Sequence, residues 1–323
     1  MKAVVVYEFG GPEVLRVGEL PVPYAGPGQV RVAVHAAGIN PVDGGNRASG
    51  GWAGLRVPCV LGYDVAGVVD QVGPGVERVR AGERVMAMTR FRDGAGGYAE
   101  LAVLDADQVA PVPASCSMVE AAAVPLAAGT AWEVLRRLGP SAGDGAWLLV
   151  LGASGGVGTF LVQLAAAAGA KVVAVGSARS HDLLRRLGAA ACVDYNKGPV
   201  APRAMEAAGG PVDAIADLVG GDALQATLGA VRPHGQLASI ATPRLDLDPL
   251  LDENLTFHGV LIENDGERTR LLADRIGEGR LRPVVAEVFS PERAADAHRL
   301  LDTGHSGGKL ILQFREEGGA PVS

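Results

Sequence analysis

Cysteine, aromatic residues and long apolar runs are scarce in this sequence, and there is no excess of basic residues. Its three cysteines, Cys59, Cys116 and Cys192, are too few and too scattered for a disulfide framework or a four-thiolate zinc site. That scarcity fits a reducing compartment. No stretch reaches the roughly 18 to 20 uninterrupted apolar residues that span a bilayer. The opening MKAVVVYEFG holds an apolar run too short for a secretory signal and reads as a strand. A cytoplasmic, unprocessed protein without a membrane partner is expected. The net charge is −7, whereas binding a polyphosphate normally needs a net basic face. No nucleic-acid partner is expected, and any basic site must be local.

What is there is globular. With 323 residues the chain exceeds the size at which one core stops growing, so two domains are the default. Hydrophobic residues make up 48% and charged residues 20%, too apolar a balance for disorder. As far as about Pro113, short valine-rich runs such as KAVVVYEF, QVRVAVHAAGI and DVAGVVDQVG are broken by Gly and Pro. This is the texture of a curled sheet or irregular barrel. From Ser115 to Leu138 the chain turns Ala-rich and helical in spacing, with Pro125 and Gly129 expected to interrupt the helix. After Gly145 the pattern becomes strand, turn, helix, repeated, which is the signature of parallel βαβ units in a doubly wound sheet. Helices are expected at Glu267 to Gly277 and after Pro291, and KLILQF reads as a terminal strand.

The first turn of the α/β half reads GASGGVG, Gly152 to Gly158, between the strand-like LLVLG and the helical TFLVQLAAA. Gly155 and Gly156 let the main chain approach a pyrophosphate, helix N-terminal amides face the anion, and Gly158 lets helix and strand pack closely. About twenty residues on, an NAD site needs an acid for the ribose 2′-hydroxyl, and an NADP site needs donors for a phosphate. Here stand Gly176, Ser177, Ala178, Arg179, Ser180 and His181, with no acid before Asp182. Arg179 and Ser177 suit a 2′-phosphate, so NADPH is the expected cofactor. Alternatively, Arg179 solvates the start of a helix.

Several ordered motifs together resemble the zinc-free quinone oxidoreductase (zeta-crystallin-like) branch of the medium-chain dehydrogenase/reductase superfamily. They include HAAGINPVD from His35, LGYDVAGVV from Leu61, VGPGV from Val72, GERV from Gly82, GGYAEL from Gly96 and GASGGVG from Gly152. LGAAACVDY from Leu187, VDAIADLVGG from Val212 and GGKLIL from Gly307 extend the likeness nearly end to end. The resemblance implies an α/β protein with a GroES-like, β-rich catalytic domain and a Rossmann domain with a doubly wound parallel sheet, the substrate lying in the cleft between them. Residues 1–114 would form the first, 115–255 the second, and 256–323 would return to the first. A homodimer joined through Rossmann sheet edges is implied as well. The expected cofactor contacts are Thr130, Ala153, Ser154, Gly155, Gly156, Val157, Gly158, Ser177, Arg179, Tyr195, Ser239 and Ile240.

Zinc-dependent relatives carry Cys after the Gly-Ile of the first motif and His-Glu after the Gly of the second. This chain has Asn40 there, and Tyr63 followed by Asp64. No metal is therefore expected. Without a Lewis acid, conjugate addition of hydride to a quinone or enone becomes the natural reaction, and the protein must orient the nicotinamide and supply donors to the developing enolate. Tyr63 and Asn40 are the candidate donors, and Asp43 is expected to orient the loop or the nicotinamide ribose. Asn40 could instead be a turn residue before Pro41, and Tyr63 a packed aromatic. An enoyl-thioester or natural-product ene reductase, and a catalytically idle NADPH-binding sensor or RNA-binding protein, stand as alternatives. The pocket walls are expected from Asn46 to Val57, including Trp52, and from Leu245 to Leu261.

Overall fold

A computed structural model describes residues 1–51, 53–90 and 96–316; Trp52, expected on a pocket wall, lies outside them. The chain forms two compact units, one of residues 1–129 with 263–323 and the other of residues 130–262. Both junctions come later in the chain than the sequence texture suggests. The short helix Met118–Ala121 stays with the first unit because it packs on the strands Gln29–Ile39 and Asp64–Val72. At the second junction, Thr256–Gly259 is not yet part of the return. It pairs in parallel with Val231–Ser239 and so completes the second unit's sheet.

In the first unit, one sheet runs in the order Val285–Phe289, Lys309–Gln313, Gln29–Ile39, Asp64–Val72, Arg84–Met88, Ala110–Pro111, with Leu101–Asp105 also paired to Gln29–Ile39. Alternation explains the long strand: Val30, Val32 and Val34 are fully buried while the residues between them are only partly covered, as a sheet with one face on a core requires. The C-terminal strand enters this sheet antiparallel to Gln29–Ile39, with Leu310 opposite Ile39. Its first residue, Lys309, is thereby carried to the end of Gln29–Ile39, next to Asn40.

The second unit's sheet has the order Ala191–Val193, Lys171–Val175, Trp147–Leu151, Val212–Asp217, Val231–Ser239, Thr256–Gly259, parallel throughout. Numbered along the unit, that is 3-2-1-4-5-6, the Rossmann arrangement, whose ligand crevice opens at the carboxyl ends of the first and fourth strands. Leu148, Leu149 and Val150 are fully buried, as expected of strands covered by helices on both faces.

One local expectation is corrected. Pro125 does interrupt the helical stretch, since Met118–Ala121 ends before it and a new helix, Pro125–Leu138, begins at it, where the missing N–H of proline has no intrahelical partner to lose, but Gly129 lies within that second helix without breaking it. The stretch after Asp222 is a 3₁₀ helix, Gln225–Ala230. The helix Gly266–Gly277 and the strand Lys309–Gln313 lie where the sequence pattern puts them. Among the described residues no helix is long and apolar enough to cross a membrane.

Candidate active site

The second unit carries the nucleotide site. The strand Trp147–Leu151 leads into Gly152 at φ 74°, and the helix Gly156–Ala167 follows, capped by Gly155. A glycine cap brings no side-chain oxygen to the helix start, so the first-turn amides are available to an anion. Gly158 must remain glycine: a Cβ there would lie 2.4 Å from the Gly152 carbonyl oxygen. Ala153, Ser154, Gly155, Gly156 and Val157 line this one turn, at the switch point of the sheet. The residues thus fit a dinucleotide pyrophosphate.

At the end of Lys171–Val175, Ser177 is half-buried and Arg179 exposed, in a turn of 3₁₀ helix spanning Ala178–Ser180. The first acid beyond them, Asp182, is paired with Arg185 at 3.1 Å one turn along its own helix. Tyr195 is 40% exposed after the strand Ala191–Val193, and Thr130 is buried in the helix Pro125–Leu138. Ser239 directs its hydroxyl inward, to Asp217 Oδ2 and to the Ala241 carbonyl, both at 2.8 Å. Asp217 was missed in the sequence. Fully buried, it also accepts from the amides of Val219 and Gly220 at 3.0 Å each, which ties down the turn after the fourth strand. The neighbouring Ile240 is half-buried and its amide donates to the Asp217 carbonyl at 3.2 Å.

In the first unit, Asn40, Asp43 and Tyr63 come together in its interior. Asn40 caps the helix Pro41–Ser49, so the turn alternative describes its backbone. Both ends of its amide are committed inside the fold: Nδ2 donates to Asp64 Oδ2 at 2.9 Å, and Oδ1 accepts from the Lys309 ammonium. Lys309 also donates to Asp64 Oδ2 at 3.1 Å and to the Ile39 carbonyl at 3.2 Å. The second oxygen of Asp64 accepts from the Leu126 amide at 2.6 Å. A full ion pair with side chains only 3% and 0% exposed survives because hydrogen bonds satisfy the remaining lone pairs and protons.

Asp43 accepts the Asn40 amide at Oδ2 and the Gly62 amide at Oδ1, each at 2.9 Å. Burial pushes its carboxyl up to about 7, against the pull of those two amides and of the Lys309 charge. Tyr63 follows Gly62, and its phenol oxygen accepts from Asn46 Nδ2 at 2.7 Å. Burial, and then the Asp43 charge, drive the phenol well above its ordinary range, so at neutral pH it keeps its proton and can donate it. Asn46 stands three residues after Asp43, at the start of the segment expected to wall the pocket, where no contact with Tyr63 was expected. Lys309 was passed over inside the GGKLIL motif, because only the sheet topology brings it to Asn40.

Two family patterns match the chain: "Alcohol dehydrogenase GroES-like domain" over residues 26–114 and "Zinc-binding dehydrogenase" over residues 187–312. The NADPH-dependent alkenal/one oxidoreductase, chloroplastic, of Arabidopsis thaliana is 33% identical, over 97% of this chain and 79% of that protein. The quinone oxidoreductase of Rattus norvegicus is 31% identical, over 96% of each. A quinone oxidoreductase structure from Coxiella burnetii superposes with a TM-score of 0.89 at 31% identity, covering 98% of this chain and 99% of that one. The chain belongs to the medium-chain dehydrogenase/reductase superfamily. Its relatives within that superfamily include quinone and enone reductases, and it is an oxidoreductase working with a nicotinamide cofactor.

Proposed function

We propose that the protein uses NADPH to reduce a quinone or an α,β-unsaturated carbonyl without a metal. The observation that carries this reading is the state of the positions that hold ligands in metal-dependent relatives. Asn40 and Asp64 are bound to the Lys309 ammonium, a cation already within the donor set. Tyr63 presents a protonated phenol there in place of a ligand.

A bound nicotinamide supplies the hydride. Addition at the β-carbon of an enone, or at a quinone ring carbon, moves the electron pair onto the carbonyl oxygen. Tyr63 donates to that oxygen as charge collects on it, while Asn46 polarises the phenol by donating to its oxygen. A proton from solvent completes the two-electron reduction. Asn40, with its amide committed, acts by positioning. Arg179 and Ser177 favour NADPH over NADH, supported by the engagement of Asp182 with Arg185.

The test is NADPH oxidation against quinones, small enones, alkenals and enoyl thioesters, repeated with Tyr63→Phe. Turnover of at least one quinone or enone is expected, with kcat lowered roughly 10-fold or more in the variant and NADPH affinity unchanged. An oxyanion donor held in a fully preorganised site is worth about 10²- to 10³-fold; water substituting for the phenol makes the loss smaller. No turnover on any of the four classes would refute the enzymatic reading, and an unchanged kcat in Tyr63→Phe would remove Tyr63 from the chemistry.

A further inference from the structure

We propose that His298 and Tyr98 are positioning residues for the Tyr63 phenol, acting through the Gly62 turn; this rests on the reading of Tyr63 as the donor to substrate. Arg47, His298, Tyr98 and Asp43 are all buried, the last three completely. They come from separate parts of the chain: the helix Pro41–Ser49, the helix Ala294–Asp302 and the segment before Leu101–Asp105. Their hydrogen bonds run in one direction only.

Arg47 is anchored by Asp302 at 2.9 Å and by the Gly10 carbonyl at 3.2 Å, and it reaches His298 Nδ1 at 3.1 Å. A guanidinium has donors and no acceptor, so Nδ1 must be the lone-pair nitrogen. Burial and the neighbouring Arg47 charge push the imidazole down to about 3, and the ring is neutral. Its single proton therefore sits on Nε2, which lies 3.3 Å from the Tyr98 hydroxyl oxygen. With that oxygen accepting from His298, the Tyr98 ring is held at its hydroxyl end.

Tyr98 also touches the turn itself. Gly62 has φ 97°, and a Cβ on it would lie 2.3 Å from Tyr98 Cδ1, so the ring packs directly on the Gly62 backbone. The Tyr98 amide donates to the Leu61 carbonyl at 2.9 Å. Gly62 is thus held by the Tyr98 ring and, through its amide, by the Asp43 carboxylate. Tyr63 is the next residue, and its hydroxyl meets Asn46 on the same helix that carries Asp43. The chain Arg47, His298, Tyr98, Gly62 fixes a donor that Arg47 and His298 never touch. A small misplacement of a reacting group can cost on the order of 100-fold in rate.

The experiment uses the full-length protein with its best substrate. His298→Leu and Tyr98→Phe are expected to lower kcat roughly 10-fold, with the NADPH Kd, read by nicotinamide fluorescence, unchanged. His298→Gln, whose amide can accept from Arg47 and donate towards Tyr98, is expected to recover most of the rate. Tyr98→Phe leaves the ring on Gly62 but frees its hydroxyl end from His298, and recovery in His298→Gln separates positioning from a general loss of structure. A parental kcat in Tyr98→Phe overturns the inference. If His298→Leu fails to fold, Tyr98→Phe, which loses one oxygen, decides alone. A slow Tyr63→Phe beside a parental Tyr98→Phe refutes this inference only; a parental Tyr63→Phe refutes the reading beneath it.

Discussion

Replacing Lys309 with Met tests how much the first unit depends on its interior charge. The methionine keeps the bulk of the lysine stem but removes the ammonium that bonds Asp64, Asn40 and the Ile39 carbonyl. Asp64, with no exposed surface, would keep the Asn40 and Leu126 donors but lose its counter-charge. Stranding a buried ion by deleting its partner costs about 3 to 5 kcal/mol. For a unit of this size each kcal/mol lowers the melting temperature by about 2 to 4 °C, so a fall on the order of 6 to 20 °C is expected. Adding Asp64→Asn to Lys309→Met removes the stranded charge while keeping an oxygen for the Leu126 amide. The double variant should therefore melt above the Lys309→Met single variant. Thermal and urea unfolding followed by circular dichroism, combined in a double-mutant cycle, give the coupling directly. A single variant that melts within about 2 °C of the parent, or a double variant no more stable than the single, would refute the reasoning.

Other outcomes are expected from both units. Arg179→Ala should raise the NADPH KM by roughly 10- to 150-fold, the equivalent of a charge-assisted contact of about 1.5 to 3 kcal/mol, and leave NADH use nearly unchanged; equal use of both cofactors by the parent would count against it. Exhaustive chelation should leave activity intact, and stoichiometric zinc whose removal abolishes turnover would refute the metal-free reading. A homodimer is expected along the edge strand Thr256–Gly259, which ends the sheet order among the described residues. Light scattering on a size-exclusion column checks it, and a monomer at micromolar concentration would refute it.

The Rossmann half was legible because its signals are local. A strand, the turn Gly152 to Gly158 and a helix occupy consecutive residues, and the remaining strands repeat the pattern. The candidate residues Asn40, Asp43 and Tyr63 were legible by motif, and the fold brings all three together. Their partners were not. Asp64 and Lys309 stand 245 positions apart, and Tyr98 and His298 stand 200 apart, so only the closed sheet and the docked helix bring them within reach. Lys309 reads in sequence as an ordinary surface lysine beginning a strand, and His298 as one polar residue on an amphipathic helix. The first junction was misplaced for a related reason: an Ala-rich helical texture does not say which core it packs against, and Met118–Ala121 packs on the first unit.

The division of the first unit into two stretches of chain dictates an order of events at the ribosome. Residues 130–262 form one uninterrupted piece and can close their sheet as they emerge, since domains generally fold as units during synthesis. The first unit must wait. The strand Gln29–Ile39 lacks its neighbour Lys309–Gln313 until 270 further positions of chain have been made. Throughout that interval Asp64 lacks its counter-ion, and burying a carboxylate without a partner carries a desolvation cost. The arrival of Lys309 closes the sheet and neutralises its centre in the same step. A chain that stops before this residue should therefore leave the ribosome with a folded nucleotide-binding unit and an unfinished catalytic one.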